Sequence, residues 1–262
     1  MIFVTLPTFN FIRRTFSAGR NNSNFPVAMF TRDHRLRTIG RQIEGLAKRH
    51  CEICIKPETS FKQAVSTIGR NGGRIYFTEG LWNFNSSITI DSSFVQLISL
   101  APGRTVFRRS AAMATTDPII VSSGDGATFE GIRFVDETDT VNTTALKITG
   151  HNSVVRNCAF EDYYNGVLVD SANYVKVVDC EFTSGQNRAI EYSGTCRGGM
   201  ITTNIIERAA GNLYFGDDVS DLTVIANTMD SANTELSYFA GNSVQTGAAL
   251  NVIDPSRVSE RC

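Results

Sequence analysis

Short alternating strands recur along the second half of the chain at a nearly constant interval. Five segments align with one another: FEGIRF (129–134), VRNCAF (155–160), VDCEF (178–182), TTNII (202–206) and IANTM (225–229). The residue after the Gly, Asn or Asp of each segment advances by 22 to 26 positions from one segment to the next. This interval is typical of solenoid proteins, in which each repeat stacks on the previous one.

A second strand lies between successive segments: ALKIT (145–149), GVLVD (166–170), AIEYS (189–193) and LYFGD (213–217). Alternation predicts that Lys147, Leu168, Glu191 and Tyr214 face outward. The residues predicted to face the interior are Leu146, Ile148, Val167, Val169, Ile190, Tyr192, Leu213 and Phe215. Each coil therefore holds at least two short strands, and a parallel partner for each must come from the next coil.

Residues that tolerate a left-handed backbone stand at the bend of each repeated segment. The aligned residues are Gly131, Asn157, Asp179, Asn204 and Asn227. Stacked amides at such a bend can hydrogen-bond from coil to coil. Cys158 and Cys180 come next, so we expect them to stack as buried thiols about 4.8 Å apart. The six cysteines are irregularly spaced, which argues against a disulfide framework and for synthesis in a reducing compartment.

A capping helix is predicted at about residues 58–70. Phe61, Ala64, Val65 and Ile68 share one helical face, and the Asn-Gly-Gly sequence at 71–73 ends the helix before the strand GRIYF. Such a helix would cover the open edge of the first coil.

The charge is unevenly divided, although the whole chain carries a net charge of -1. Residues 1–50 hold nine Lys or Arg and two acids, a sum of +7, so the remainder holds 16 basic and 24 acidic residues, a sum of -8. We divide the chain into a basic arm (1–55), a β-helix (56–254) and a C-terminal tail (255–262). The arm is suited to an anionic surface or is simply a solvated N-terminus. No apolar run could span a bilayer, and Pro7 interrupts the apolar start too early for a signal peptide.

This arrangement resembles the pectate-lyase-like β-helix superfamily over roughly residues 60–254. The resemblance rests on the NCAF and DCEF repeats and on the opening residues Gly72, Gly73, Ile75, Tyr76, Phe77, Gly80 and Trp82. It implies an all-β fold, a single-stranded right-handed parallel β-helix (a solenoid) with an N-terminal capping helix and a basic, partly extended arm. The superfamily includes polysaccharide lyases, glycosidases, phage tailspikes and phage head proteins, so the fold leaves the activity open.

Acidic residues are sparse on the predicted outer face. A glycosidase needs two carboxylates about 5 to 9.5 Å apart, whereas the outward row offers only Glu191. Pairing Glu191 with Asp217 or Asp218 gives the best catalytic hypothesis. Solvated acids that satisfy turns are the alternative interpretation, which we prefer, so no catalytic residue is assigned.

Metal-binding patterns are incomplete. His50, Cys51 and Cys54 supply at most part of a zinc site, which takes four ligands. The acidic residues Asp136, Glu137 and Asp139 have no fixed geometry for calcium, and His151 is predicted to lie in a turn without an obvious partner. We expect neither a metal nor a cofactor.

The basic arm joined to a β-helix looks most like the phage virion members of the superfamily. It implies a capsid decoration or cement protein, made in the host cytoplasm and carried on the capsid surface. The arm would dock on the major capsid protein or another virion protein, because aromatic residues interleaved with arginines are typical of segments that order on binding. The predicted docking residues are Phe9, Phe11, Arg13, Arg14, Phe16, Arg20, Arg32, Arg35 and Arg37. About eight coils would make a stub some 40 Å tall.

Phage β-helices are usually trimers, so the resemblance also implies a homotrimer that buries Leu168 and Tyr214 between subunits. Two alternatives stay open: a tailspike-type polysaccharide depolymerase with a site completed across subunits, and a protein that binds host surface glycans without chemistry. For glycan binding, the candidate stacking platforms are Tyr163, Tyr164, Tyr174 and Tyr214. Neither nucleic acid nor a membrane is an expected partner.

Overall fold

The computed structural model describes residues 51–57, 60–114, 116–136, 142–216, 218–230, 235–239 and 252–253. Its strands form three parallel sheets, and each coil of the solenoid contributes one strand to each sheet in turn. Sheet 1 contains β1 (Cys51–Ile55), β2 (Gly73–Phe77), β5 (Val95–Ser99), β8 (Thr128–Glu130), β11 (Val154–Arg156), β14 (Val175–Val178), β17 (Cys196–Thr202) and β20 (Val219–Ile225).

The other two sheets have the same order of coils. Sheet 2 contains β3 (Gly80–Phe84), β6 (Thr105–Arg109), β9 (Ile132–Val135), β12 (Ala159–Glu161), β15 (Glu181–Thr183), β18 (Ile205–Glu207), β21 (Thr228–Asp230) and β23 (Val252–Ile253). Sheet 3 contains β4 (Ile88–Ile90), β7 (Ile120–Ser122), β10 (Thr144–Ile148), β13 (Asn165–Asp170), β16 (Arg188–Ser193), β19 (Gly211–Phe215) and β22 (Glu235–Phe239). Seven three-stranded coils, from β2 to β22, thus form the described body, about 34 Å tall at the usual strand spacing, where the sequence predicts about eight coils.

Inward-facing apolar side chains stack from coil to coil and form the core. The ring of Phe160 lies 5.0 Å from that of Phe134 and 4.7 Å from that of Phe182, nearly parallel to both. The interior residues predicted for sheet 3 are all buried, and the outward row Lys147, Leu168, Glu191 and Tyr214 pairs in register. The prediction of a parallel β-helix is therefore confirmed, as is the assignment of these residues to the two faces.

The predicted asparagine column is wrong by one residue in the last two aligned coils. The left-handed bend residues are Gly131, Asn157, Asp179, Thr203 and Ala226. Asn204 and Asn227 instead follow the bend and point inward, in the place that Cys158 and Cys180 occupy in earlier coils. The alignment by residue type failed because asparagine suits both the bend and the interior ladder.

The two cysteines that were predicted to stack are both 2% exposed. The Cys180 thiol donates to the carbonyl oxygens of Val155 and Val178, and burial raises the pKa of this thiol. Neither cysteine forms a disulfide. Their position is that of small apolar core residues.

The capping helix, α1, spans Phe61–Ile68 and is followed by a 3₁₀ turn at Gly69–Asn71. Ser60 caps it by accepting a hydrogen bond from the Gln63 amide, and Phe61, Ala64, Val65 and Ile68 are buried as predicted. The Phe61 ring lies 5.1 Å from that of Phe77 in the first coil. Because β1 and β2 are neighbours in sheet 1, α1 takes the place of the second and third strands of a preceding coil.

The β-helix begins before the predicted boundary at 55/56. Strand β1 pairs with β2 from Cys51↔Gly73 to Ile55↔Phe77, so the last five residues of the predicted arm belong to sheet 1. Residues 1–50 and the predicted tail at 255–262 lie outside the described residues.

Candidate functional site

An open groove with a volume of about 550 Å³ lies on the outer face of sheet 3. Strands β10, β13 and β16 form its floor, and the segment before β7 contributes to its wall. The lining residues are Thr116, Pro118, Asn142, Thr144, Lys147, Tyr164, Asn165, Leu168, Asn187, Arg188 and Glu191. These side chains are mainly polar or charged, so the groove is suited to a polar ligand.

The strands of the floor depart from strict alternation of inward and outward side chains near their N-terminal ends. In β16, Ala189 and Ile190 are both buried, so that Arg188 and Glu191 lie on the same outer face although they are three residues apart. Strand β13 repeats the pattern with Gly166 and Val167. A Cβ atom on Gly166 would lie 2.6 Å from the carbonyl oxygen of Ala189, so the close approach of the two strands requires glycine there.

Ion pairs link the charged groups of the groove. Lys147 Nζ lies 2.8 Å from Asp170 Oδ2, and Arg188 Nη1 lies 2.6 Å from Glu191 Oε1. The hydrogen bond from Lys147 lowers the pKa of Asp170. The Arg188 guanidinium also stacks over the ring of Tyr214, 3.5 Å from its centroid. Each of these two carboxylates is therefore held by a cation from its own or a neighbouring strand.

The acids of the catalytic hypothesis, Glu191 and Asp218, contact different partners in the described residues. Glu191 contacts Arg188, while Asp218 is exposed at the next corner, where its carbonyl oxygen accepts from the Cys196 amide. Asp217 lies outside the described residues. Asp170 is the diagonal neighbour of Glu191 on the adjacent strand. The sequence did not predict a pairing of these two acids.

Strand geometry separates the Cα atoms of Asp170 and Glu191 by about 8 Å. The range of about 6.5 to 9.5 Å in inverting glycosidases is measured between carboxyl groups and not between Cα atoms, and an inverting pair also requires a protonated acid. Lys147 lowers the pKa of Asp170, which disfavours Asp170 in that role.

A buried ion pair fixes the wall of the groove. Arg109 Nε lies 3.0 Å from Asp136 Oδ2, with both side chains nearly inaccessible. The same guanidinium donates to the carbonyl oxygens of Ala114 and Asp117, directly before Pro118. Asp136 is thus part of a buried clamp and not of an open calcium loop, and Glu137 and Asp139 lie outside the described residues.

Other predicted residues have mixed outcomes. Tyr163 is 1% exposed and cannot serve as a stacking platform, whereas Tyr174 is 54% exposed. His151, for which no partner was expected, accepts a hydrogen bond at Nδ1 from the Asn173 amide. The nine predicted docking residues of the arm lie outside the described residues.

In the part of the chain that the structure describes, no group of three or more His, Cys, Asp or Glu is placed to hold a metal ion. Among the helices of that part, none has the length and hydropathy that crossing a membrane requires.

Known proteins share this architecture. A family model described as "Right handed beta helix region" matches residues 103–253, whereas no curated protein matches the sequence. The crystal structure of a proposed glycosyl hydrolase from Parabacteroides merdae has a TM-score of 0.53 and 15% identity, covering 71% of this chain and 91% of that one. At this identity the likeness is one of fold.

Two further structures are less similar. Pectin methylesterase PemA from Erwinia chrysanthemi has a TM-score of 0.49 and 11% identity, covering 71% of this chain and 80% of that one. ORF18 of Geobacillus virus E2 has a TM-score of 0.39 and 12% identity, covering 86% of this chain and 64% of that one.

Proposed function

This chain belongs to the right-handed β-helix family, and on that fold we propose that it is a structural protein of a phage particle. In this proposal it is a capsid decoration or cement protein. Residues 1–50 dock on the major capsid protein or another virion protein, and the β-helix projects from the capsid surface as a homotrimer. The protein is synthesised in the host cytoplasm.

One observation carries the proposal: the charged groups on the floor of the groove are joined in ion pairs. Lys147 with Asp170 and Arg188 with Glu191 form a neutralised surface whose side chains are partly withdrawn from solvent. A general acid in a catalytic groove would instead keep a pKa near the working pH, whereas Lys147 lowers the pKa of Asp170. Fixed, paired charges are the expected state of a scaffold.

The arm supplies the second line of support. Its charge is +7, against -8 for the remainder of the chain, and phenylalanines are interleaved among its arginines, the composition of a segment that orders against a partner. A body about 34 Å tall is also short for a receptor-binding fibre.

Deletion of residues 1–50 tests the proposed docking. We expect the truncated protein to fold, because β1 is retained in sheet 1, but to be lost from purified particles in a complementation assay with the phage that encodes the protein. Melting temperature and circular dichroism serve as the folding control. Unchanged occupancy of the particle would refute the docking role.

The second candidate is a tailspike-type depolymerase or glycan-binding receptor protein that uses the groove. The diagonal placement of Asp170 and Glu191 is the observation that favours it. Release of reducing sugar from host glycans should then fall by at least about 100-fold in Glu191→Gln. Equal activity of wild type and variant would remove Glu191 from the mechanism.

A further inference from the structure

The corner that leads into sheet 1 holds one left-handed residue in every coil. Strand register aligns these seven residues in a straight column along the solenoid. They are Gly72, Phe94, Gly126, Asn152, Tyr174, Gly198 and Asp221, with φ between 57° and 71°. Glycine, asparagine and aspartate are the residues that tolerate this backbone best.

Phe94 and Tyr174 are the exceptions in this column. A bulky side chain at positive φ costs conformational energy, yet these rings are 70% and 54% exposed and recover little of it through burial. The fold would be served as well or better by asparagine or glycine at both places. An exposed aromatic ring at a strained backbone position is a starting point for a hypothesis of function.

Both rings pack against glycines in the next coil. A Cβ atom on Gly126 would lie 2.7 Å from Cδ1 of Phe94, and one on Gly198 would lie 2.7 Å from Cδ1 of Tyr174. Each ring therefore rests against the backbone of the following coil, with much of its surface open to solvent. Two aromatic platforms are thus held in place before any ligand arrives.

A ladder of side-chain acceptors stiffens the strip between the rings. The Asp125 carboxylate accepts from the His151 amide at 2.8 Å, and His151 Nδ1 accepts from the Asn173 amide at 3.0 Å. The Asn173 side chain accepts in turn from the Arg197 amide. The strip therefore has an apolar ring towards each end and polar groups between them.

We propose that this strip, defined by Phe94, Asn152 and Tyr174, binds a neutral oligosaccharide. The rings stand three coils apart, about 14 Å at the usual strand spacing, so a chain of several sugars could stack one apolar face on each ring and hydrogen-bond to the polar groups between. Nucleic acid bases also stack on aromatic rings, but a body with a charge of -8 repels a polyanion. The strip lies at the corner before sheet 1, apart from the groove on sheet 3, and the inference does not rest on the proposed virion role.

The test exploits the strain at the two positions. Phe94→Asn and Tyr174→Asn should leave the melting temperature unchanged or raise it, because asparagine occupies the same place at Asn152. The same variants should weaken binding of maltohexaose, cellohexaose or chitohexaose by about tenfold each in isothermal titration calorimetry at millimolar sugar. Leu100→Asn, at a comparably exposed apolar residue on another corner, should change neither quantity.

Four results would overturn the proposal. Wild-type protein that binds none of the three hexasaccharides has no such site. Equal affinity of wild type and the two asparagine variants places sugar binding elsewhere, and loss of affinity in Glu191→Gln alone places it in the groove. A fall in melting temperature in both asparagine variants would show that the rings serve the fold.

Discussion

At the scale of single residues, the buried side-chain amides are the polar groups at which we expect a substitution to cost most stability. Asn204 Nδ2 donates to the side-chain oxygen of Asn227 and to the carbonyl oxygen of Val177, while its own Oδ1 accepts from the Cys180 amide. Both asparagines are fully buried. Every hydrogen bond that one of them loses would leave a partner unsatisfied in the core, which costs more than the bond itself contributes.

Asn204→Ala should therefore lower the free energy of unfolding by about 3 kcal/mol, because it removes the partner of the Cys180 amide and opens a cavity. Urea unfolding followed by circular dichroism measures the change. The matched control is Asn83→Ala on the exposed face of sheet 2, expected to cost below about 1 kcal/mol. Similar losses in the two variants would contradict a structural role for the ladder.

The Lys147–Asp170 pair predicts a pH dependence of stability. Lys147 lowers the pKa of folded Asp170 below the unfolded value of about 3.9, so the pair stabilises the protein above about pH 4 and this stabilisation is lost as the pH falls through the lowered pKa. Asp170→Asn should cost below about 1 kcal/mol at neutral pH, since a third of the side chain is exposed, and nothing in strong acid.

A double-mutant cycle isolates this pair. In a Lys147→Met background, Asp170→Asn should have almost no effect on the urea midpoint at either pH. An undiminished effect in that background would assign the pH dependence to another group.

At the scale of elements, α1 covers the open end of the first coil, in the place that a preceding coil would occupy. The ring of Phe61 contacts those of Phe77, Phe84 and Phe107, with centroids 5.1 to 6.1 Å away. In a solenoid each coil is stabilised chiefly by its neighbours, so the terminal coil depends on its cap.

Phe61→Ala should destabilise the N-terminal coils by about 3 to 4 kcal/mol, since it removes a buried aromatic side chain. The variant should increase the rate of amide hydrogen exchange in β2 and β3 much more than in β13 and β16. Lys62→Ala, on the exposed side of the same helix, is the control. Uniform acceleration along the solenoid would show that the body unfolds as one unit and that α1 is not a local cap.

At the scale of the whole molecule, the proposed trimer makes sheet 3 an interface. Leu168 and Tyr214 stand in one outward row and are partly exposed in the single chain. Burial between subunits would remove this surface from water.

Analytical ultracentrifugation at micromolar concentration should give three times the mass of 28.7 kDa. Leu168→Glu should shift the protein towards monomer, because it adds an acid to a surface that the trimer would bury. The control Thr89→Glu lies in the outward row of the same sheet, at the far end. A monomeric wild type would refute the trimer.

The sequence alone determined the repeat, the parallel solenoid, the cap and which residues of sheet 3 face inward, because these depend on local periodicity and on the need to bury apolar side chains. The tertiary structure determined which residues of a coil and of its neighbours come together. Ala189 and Ile190 face inward together, which brings Arg188 beside Glu191, and alternation cannot predict such a bend. The places of Asn204, Phe94 and Tyr174 likewise follow from the register of strands more than twenty residues apart, which a single sequence does not specify.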